Sequence, residues 1–157
     1  MPDTAAHHDL TIERTVPVPA DRLFAGWTEP ALLMQWFTPA PWRTTDAEID
    51  PRPGGIFRSV MEGPDGERNE NAGCVLEVEP GRRFVWTSVF GPGFVPLEIP
   101  ADGLAFTAII EFEPVADGTH VRATARHGSA ADAARHAAMG FEQGWGAALD
   151  QLVALVA

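Results

Sequence analysis

The sequence predicts one α+β domain, in which an antiparallel meander is entered through a pair of short helices and covered by a long C-terminal helix. Three observations carry this. Between residues 46 and 127, alternating stretches are separated by the turn sequences GPDGE, PGR and ADG. Ahead of them, PADRLFAGW and TEPALLMQWF place apolar residues at helical spacing. From Ser129 onward helix formers run to the end of the chain, with Ala134, Ala138, Phe141, Trp145, Leu149, Leu152 and Val156 on one stripe.

LTIERTVPV puts Leu10, Ile12, Arg14, Val16 and Val18 on one face, and Pro17 and Pro19 close the stretch, which reads as a strand near a sheet edge. Residues 1–8 are expected to be a disordered start, and 9–157 the single domain. Arg14, on an apolar face, has three readings: a buried ion pair, an anchor for an anionic ligand group, or an exposed residue of a misplaced strand. Leu23, Phe24 and Trp27 share a helical face. Thr28 is the expected N-cap of the second helix, with Pro30 in its first turn and Leu32, Leu33, Trp36 and Phe37 as its stripe.

Strands follow in RPGGIFRSVMEG, NAGCVLEVE, RFVWTSVF, LAFTAIIEFEPV and THVRATARH, with a further short strand over 46–50. Period-two alternation gives an inner face of Phe57, Ser59, Met61, Phe84, Trp86, Ser88, Phe90, Phe106, Ala108, Ile110, Phe112, Val121, Ala123, Ala125 and His127. Glu62 and Glu77 are expected to be solvated or paired with arginines.

Ser129 with Asp132 three residues on marks the start of the last helix, about 27 residues and about 40 Å long. Gly140, Gly144 and Gly146 each cost it about 0.5 to 1 kcal/mol, whereas burying Trp145 returns roughly 4 to 6. The glycines therefore imply either close backbone packing or space left above the sheet.

Composition bounds the function. With a net charge of −11 from 22 carboxylates against 11 arginines and no lysine, nucleic acid and anionic membrane surfaces are excluded as partners. No apolar run is long enough for membrane insertion and the start lacks signal-peptide character, so the cytoplasm is the expected compartment. The lone Cys74, inside CVLEV, reads as a core residue. His7 and His8 lack further ligands at metal spacing, GPDG and RPGG are not phosphate loops, and no GxSxG or Cys-His pattern appears, so no metal or cofactor is expected.

Four segments, FAGWTEPALLMQWF, DPRPGGIFRSVMEGPDG, GCVLEVEPGRRFVWT and HAAMGFEQGWGAALDQL, resemble in order and spacing the START-like, birch-pollen-allergen-like (SRPBCC) helix-grip superfamily. They are similar to the branch holding activator of heat-shock-protein-90 ATPase homologues and the calicheamicin self-resistance protein. The resemblance implies a curved antiparallel sheet of six or seven strands gripping the C-terminal helix around an apolar cavity. It does not imply a reaction.

On this reading Trp27, Trp36, Phe37, Phe57, Met61, Trp86, Ser88, Phe106, Ala108, Ile110, His127, Phe141 and Trp145 line a pocket for a small hydrophobic ligand, the alternative being a filled core. His127 and His136 are candidate neighbours and weak catalytic candidates; either they fix the strand-to-helix junction or they do acid–base work. His136 also matches a histidine common in the branch. The loop 91–103, with Phe94, Val95, Leu97 and Ile99, is a lid, a homodimer contact or a segment folded on its own domain. The expected function is non-enzymatic binding of a small hydrophobic molecule. A cyclase- or hydrolase-type enzyme using His127 or His136 is the alternative, and a chaperone ATPase-stimulating role rests on the family name alone.

Overall fold

The computed structural model describes residues 7–157, so most of the expected disordered start lies outside the described residues. In chain order the elements are β1 (His8–Val16), α1 (Ala20–Thr28), α2 (Pro30–Leu33), β2 (Arg43–Ile49), β3 (Ile56–Glu62), β4 (Arg68–Glu79), β5 (Arg83–Thr87), β6 (Phe90–Gly91), β7 (Val95–Pro96), β8 (Phe106–Val115), β9 (Gly118–His127), α3 (Ala130–Ala138) and α4 (Phe141–Val156). Seven strands form one antiparallel sheet in the order β1-β9-β8-β5-β4-β3-β2, and β6 pairs with β7 in a separate small hairpin. This is the helix-grip α+β arrangement. The strand expected over 46–50 spans Arg43–Ile49, and β1, expected over 10–18, spans His8–Val16.

Topology explains the helix pair. β1 and β2 lie at opposite edges of the sheet, so α1 and α2 must carry the chain across one face. That face is apolar, with Phe57, Phe84, Trp86, Ile110, Phe112, Val121 and Ala125 all buried. The other face carries charge ladders across neighbouring strands: Arg58 reaches Asp46 and Glu70 at 2.8 Å each, and Arg83 reaches Glu77 at 3.1 Å and Glu111 at 2.9 Å. Glu62 instead accepts a hydrogen bond from Thr45 Oγ1. One register shift in β4, between Val75 and Glu77, keeps Val75 opposite Trp86 and Val78 opposite Phe84, as a β-bulge does.

Local chemistry departs from expectation at two helix ends. Thr28 closes α1, its Oγ1 donating to Phe24 O, while Glu29 is the cap of α2 with Pro30 in its first turn. The expected single C-terminal helix is two. Ser129 Oγ accepts from Asp132 N–H and starts α3, but Gly140, at φ 94°, turns the chain into the left-handed region before α4 begins. Crossing this break shifts the helical phase, so Ala134 and Ala138 are exposed and α3 turns His136 inward instead.

The remaining helix glycines have separate reasons. Arg14 keeps the inner-face register of β1 but is exposed, with its guanidinium lying over α4 where a Cβ on Gly146 would stand 2.9 Å from Nη2. At Gly144 a Cβ would meet no atom within 4 Å. In α1, a Cβ on Gly26 would collide with Leu152 Cδ1, a fully buried atom of α4, so the two helices touch there backbone to side chain. Accordingly Gly26→Ala should destabilise the fold by about 1 to 2 kcal/mol, overpacking outweighing the gain in helix propensity. Gly144→Ala should stabilise it by about 0.5 to 1 kcal/mol. Urea unfolding of the two variants checks both signs.

Candidate functional site

Between α4 and the apolar face of the sheet lies a cavity of about 880 Å³. Its wall is an almost continuous chain of rings. Trp27 meets Trp36 edge-on at 4.7 Å and Trp36 meets Phe37 at 5.6 Å; Phe37 touches Phe57, which stacks on Trp86 at 4.4 Å. Trp86 adjoins Phe106, and Phe106 reaches across to Trp145 of α4 at 5.8 Å. Phe141 completes the series, 4.6 Å from Trp145.

Of the residues expected at the pocket, these eight rings with Met61, Ser88 and Ile110 line the cavity. Two do not. Ala108 is fully buried beneath the surface, and His127 sits behind the wall. Several wall residues escaped the sequence reading. Asn69 and Asn71 line it because β4 starts three residues earlier than its apolar run shows, whereas Gly144, one of the helix glycines read as packing or space, lines it as a bare patch of helix. The signal for the asparagines was their alternation with Gly73 in NENAG, which polar character masked.

The loop 91–103 folds against its own domain and also rims the cavity. Leu97, Ile99 and Met139 are both exposed and part of the lining, so they form its mouth. Three fixings hold the loop. Gly93 N–H donates to Gly54 O at 2.8 Å, Leu97 N–H donates to Val89 O, and Arg135 of α3 donates to Asp102 O and Gly103 O at 3.1 and 2.6 Å.

Polar groups interrupt the rings, among them Ser59, Asn69, Asn71, Ser88 and His136. Ser88 Oγ is consumed by the backbone of Phe106, accepting from its N–H at 3.1 Å and donating to its carbonyl at 3.3 Å. Trp86 Nε1 is buried with no hydrogen-bond partner among the described residues. His136 is different: it is 7% exposed, lines the cavity, and stands 4.9 Å from Phe106 and 5.2 Å from Phe141, ring to ring. Its Nδ1 lies 2.8 Å from His127 Nε2, and His127 Nδ1 lies 2.8 Å from His8 O.

Hydrogen-bond logic fixes the protons in this row. A carbonyl can only accept, so His127 Nδ1 carries the hydrogen. With both rings neutral, His127 Nε2 is bare and must accept from His136 Nδ1–H. The second nitrogen of His136 is then bare as well, on the side of the ring away from His127. Burial, and secondarily the neighbouring His127, holds His136 down to about 4 from an ordinary 6.5. No group of three or more His, Cys, Asp or Glu capable of holding a metal occurs among the described residues, and no helix there is long and apolar enough to cross a membrane.

With this geometry in place, the comparisons are informative. The family described as Activator of Hsp90 ATPase homolog 1-like protein matches residues 17–157, and the chain belongs to that family. No protein with a curated description matches. Among solved structures, NE0264 from Nitrosomonas europaea is 40% identical, with 94% of this chain and 92% of that one covered and a TM-score of 0.88. Ms6760 from Mycobacterium smegmatis is 25% identical over 95% and 90% of the two chains, at a TM-score of 0.77. A protein from Arthrobacter aurescens, 21% identical over 94% and 85%, has a TM-score of 0.81 and shares the fold.

The depressed His136 sets a sign for stability against pH. Below 6.5 the unfolded chain takes up a proton at this ring that the native state refuses, so stability is full above that value and is lost as pH falls toward 4. Between about pH 7.5 and about pH 5 the loss should be about 2 kcal/mol. The carboxylates held low by arginine or histidine, Asp9, Glu13, Asp46 and Glu70, have ordinary values of 3.8 to 4.5 and act below this window. Urea unfolding at the two pH values should show the difference in the native chain and a flattened one in His136→Gln.

Proposed function

We propose that this member of the activator of Hsp90 ATPase homolog 1-like family is a binding protein for a small apolar molecule, which it holds beneath α4 without transforming it. The observation that carries this reading is the aromatic-walled space of about 880 Å³, within the usual range of small-molecule pockets. Gly144 supports it further. A residue as small as glycine, facing open volume in a helix where alanine would be more stable, is explained by the room it leaves.

The enzymatic alternative has one observation in its favour, the histidine row ending at the cavity. Two of the groups that could have joined it are already engaged: Ser88 is tied to the backbone of Phe106, and the guanidinium of Arg135 is tied to the carbonyls of Asp102 and Gly103. Binding without chemistry asks nothing more of these residues than what they already do.

Titration with N-phenyl-1-naphthylamine, an uncharged dye that brightens in apolar surroundings, tests the binding reading. The native chain should enhance its emission saturably. Gly144→Phe, which fills the space while improving helix propensity, should weaken dye binding by about tenfold, or 1.4 kcal/mol, with no loss of thermal stability. Absence of saturable enhancement in the native chain would end the proposal.

A further inference from the structure

The row His8 O, His127, His136 ends in an unpaired nitrogen that the cavity wall does not satisfy. His136 Nε2 has no hydrogen-bond partner among the described residues, although the side chain is more than nine-tenths buried. Every other polar atom of the row is spoken for. The direction of the row is set at its far end by a backbone carbonyl, which cannot donate, so with neutral rings and both hydrogen bonds made the near end is an acceptor, and a tautomer exchange there would sacrifice one of the two bonds.

The surroundings restrict what can meet that acceptor. Phe106, Phe141 and Trp145 pack around the imidazole at 4.9, 5.2 and 6.2 Å, so the atoms attached to the donor must be apolar, and flat groups fit best between rings. The other ionisable groups along the cavity are Glu70, Glu98, Asp102 and Arg135. Arg135 spends its guanidinium on Asp102 O, Gly103 O and Asp132 Oδ1, and Glu70 is paired with Arg58 and Arg68, which leaves the carboxylates of Glu98 and Asp102 and no available cation to receive an anion. An anionic ligand is disfavoured on these grounds.

From this we infer that the cavity selects an uncharged apolar molecule bearing a hydroxyl, phenolic or alcoholic, which donates its hydrogen to His136 Nε2. His127 is the positioning residue that fixes the acceptor by holding the His136 tautomer. The inference rests on the binding reading above and narrows it to a ligand class and an orientation.

A matched pair of probes separates the two readings. 2-Naphthol and 2-methoxynaphthalene differ in the donor hydrogen and one methyl group, and their binding can be compared by calorimetry at about pH 8, where an ordinary imidazole is neutral. The native chain should bind the naphthol roughly two- to tenfold more tightly than its ether, the worth of one hydrogen bond. His136→Phe should abolish that ratio while keeping the ether bound.

Equal affinity for the two probes in the native chain would overturn the hydroxyl subsite and leave apolar binding standing; failure of both to bind would overturn the binding reading itself. Because His136→Phe leaves His127 Nε2 without a donor and can unfold the chain, the native protein supplies an independent measurement. Nitrogen-15 imidazole spectra should show His136 protonated at Nδ1 and bare at Nε2, with the Nε2 resonance moved by 2-naphthol and unmoved by the ether. A hydrogen on Nε2 at that pH would refute the inference.

Discussion

The cavity depends on how the two halves of α4 are held: polar and close-packed contacts clamp the second half, and aromatic rings support the first. Its C-terminal half is clamped: Leu152 seats on Gly26 of α1, Gln151 Nε2 donates to Trp36 O and Thr38 O, and Gln151 Oε1 accepts from Ala40 N–H. Arg22 adds a hydrogen bond to Val156 O. The N-terminal half, from Phe141 to Leu149, faces the cavity. With Leu152 and Gln151 holding the far end against the helix pair, rings on the sheet prop the near end away from it. Without the clamp, closing the gap would recover dispersion contacts that the empty wall forgoes.

The clamp also accounts for the helix pair being where it is. Trp36 Nε1 donates to Gly26 O, joining the segment after α2 to α1, and the same segment receives Gln151. One buried tryptophan thus couples the two helices that cross the sheet to the one that covers it. Position 26 serves both contacts: its backbone carbonyl takes the indole hydrogen, and glycine is required there because its missing side chain admits Leu152. Chain segments far apart in sequence meet at this point, so the cavity is a property of the whole domain.

Much of this architecture was legible because it rests on period and punctuation. Alternation in RFVWTSVF and LAFTAIIEFEPV put Trp86 and Phe106 on the inner face, and the stripe through Phe141, Trp145, Leu149 and Leu152 put α4 over it. What stayed hidden depends on single backbone conformations and on contacts across the fold. Nothing in AAMGFEQG distinguishes a glycine in a continuing helix from one at φ 94°, and that choice exposes Ala134 and Ala138 and turns His136 inward. His127 was placed on the right face, yet its ring bonds His8 O behind the wall, a contact between residues 119 apart that no local pattern encodes.

Whether the histidine row serves binding or catalysis turns on basicity. A general base works best when its pKa lies near the working pH, because it must then be both deprotonated and eager for the proton. Held down to about 4, His136 is deprotonated at neutral pH but a poor proton taker. As a hydrogen-bond acceptor it loses little by the same shift, and its unpaired Nε2, which opens onto the cavity, would gain about 0.5 to 1.5 kcal/mol from a ligand hydroxyl. On the binding reading proposed above, burial weakens the ring as a base yet leaves it able to accept from a ligand hydroxyl, and an apolar ligand that brings no donor would forgo that bond.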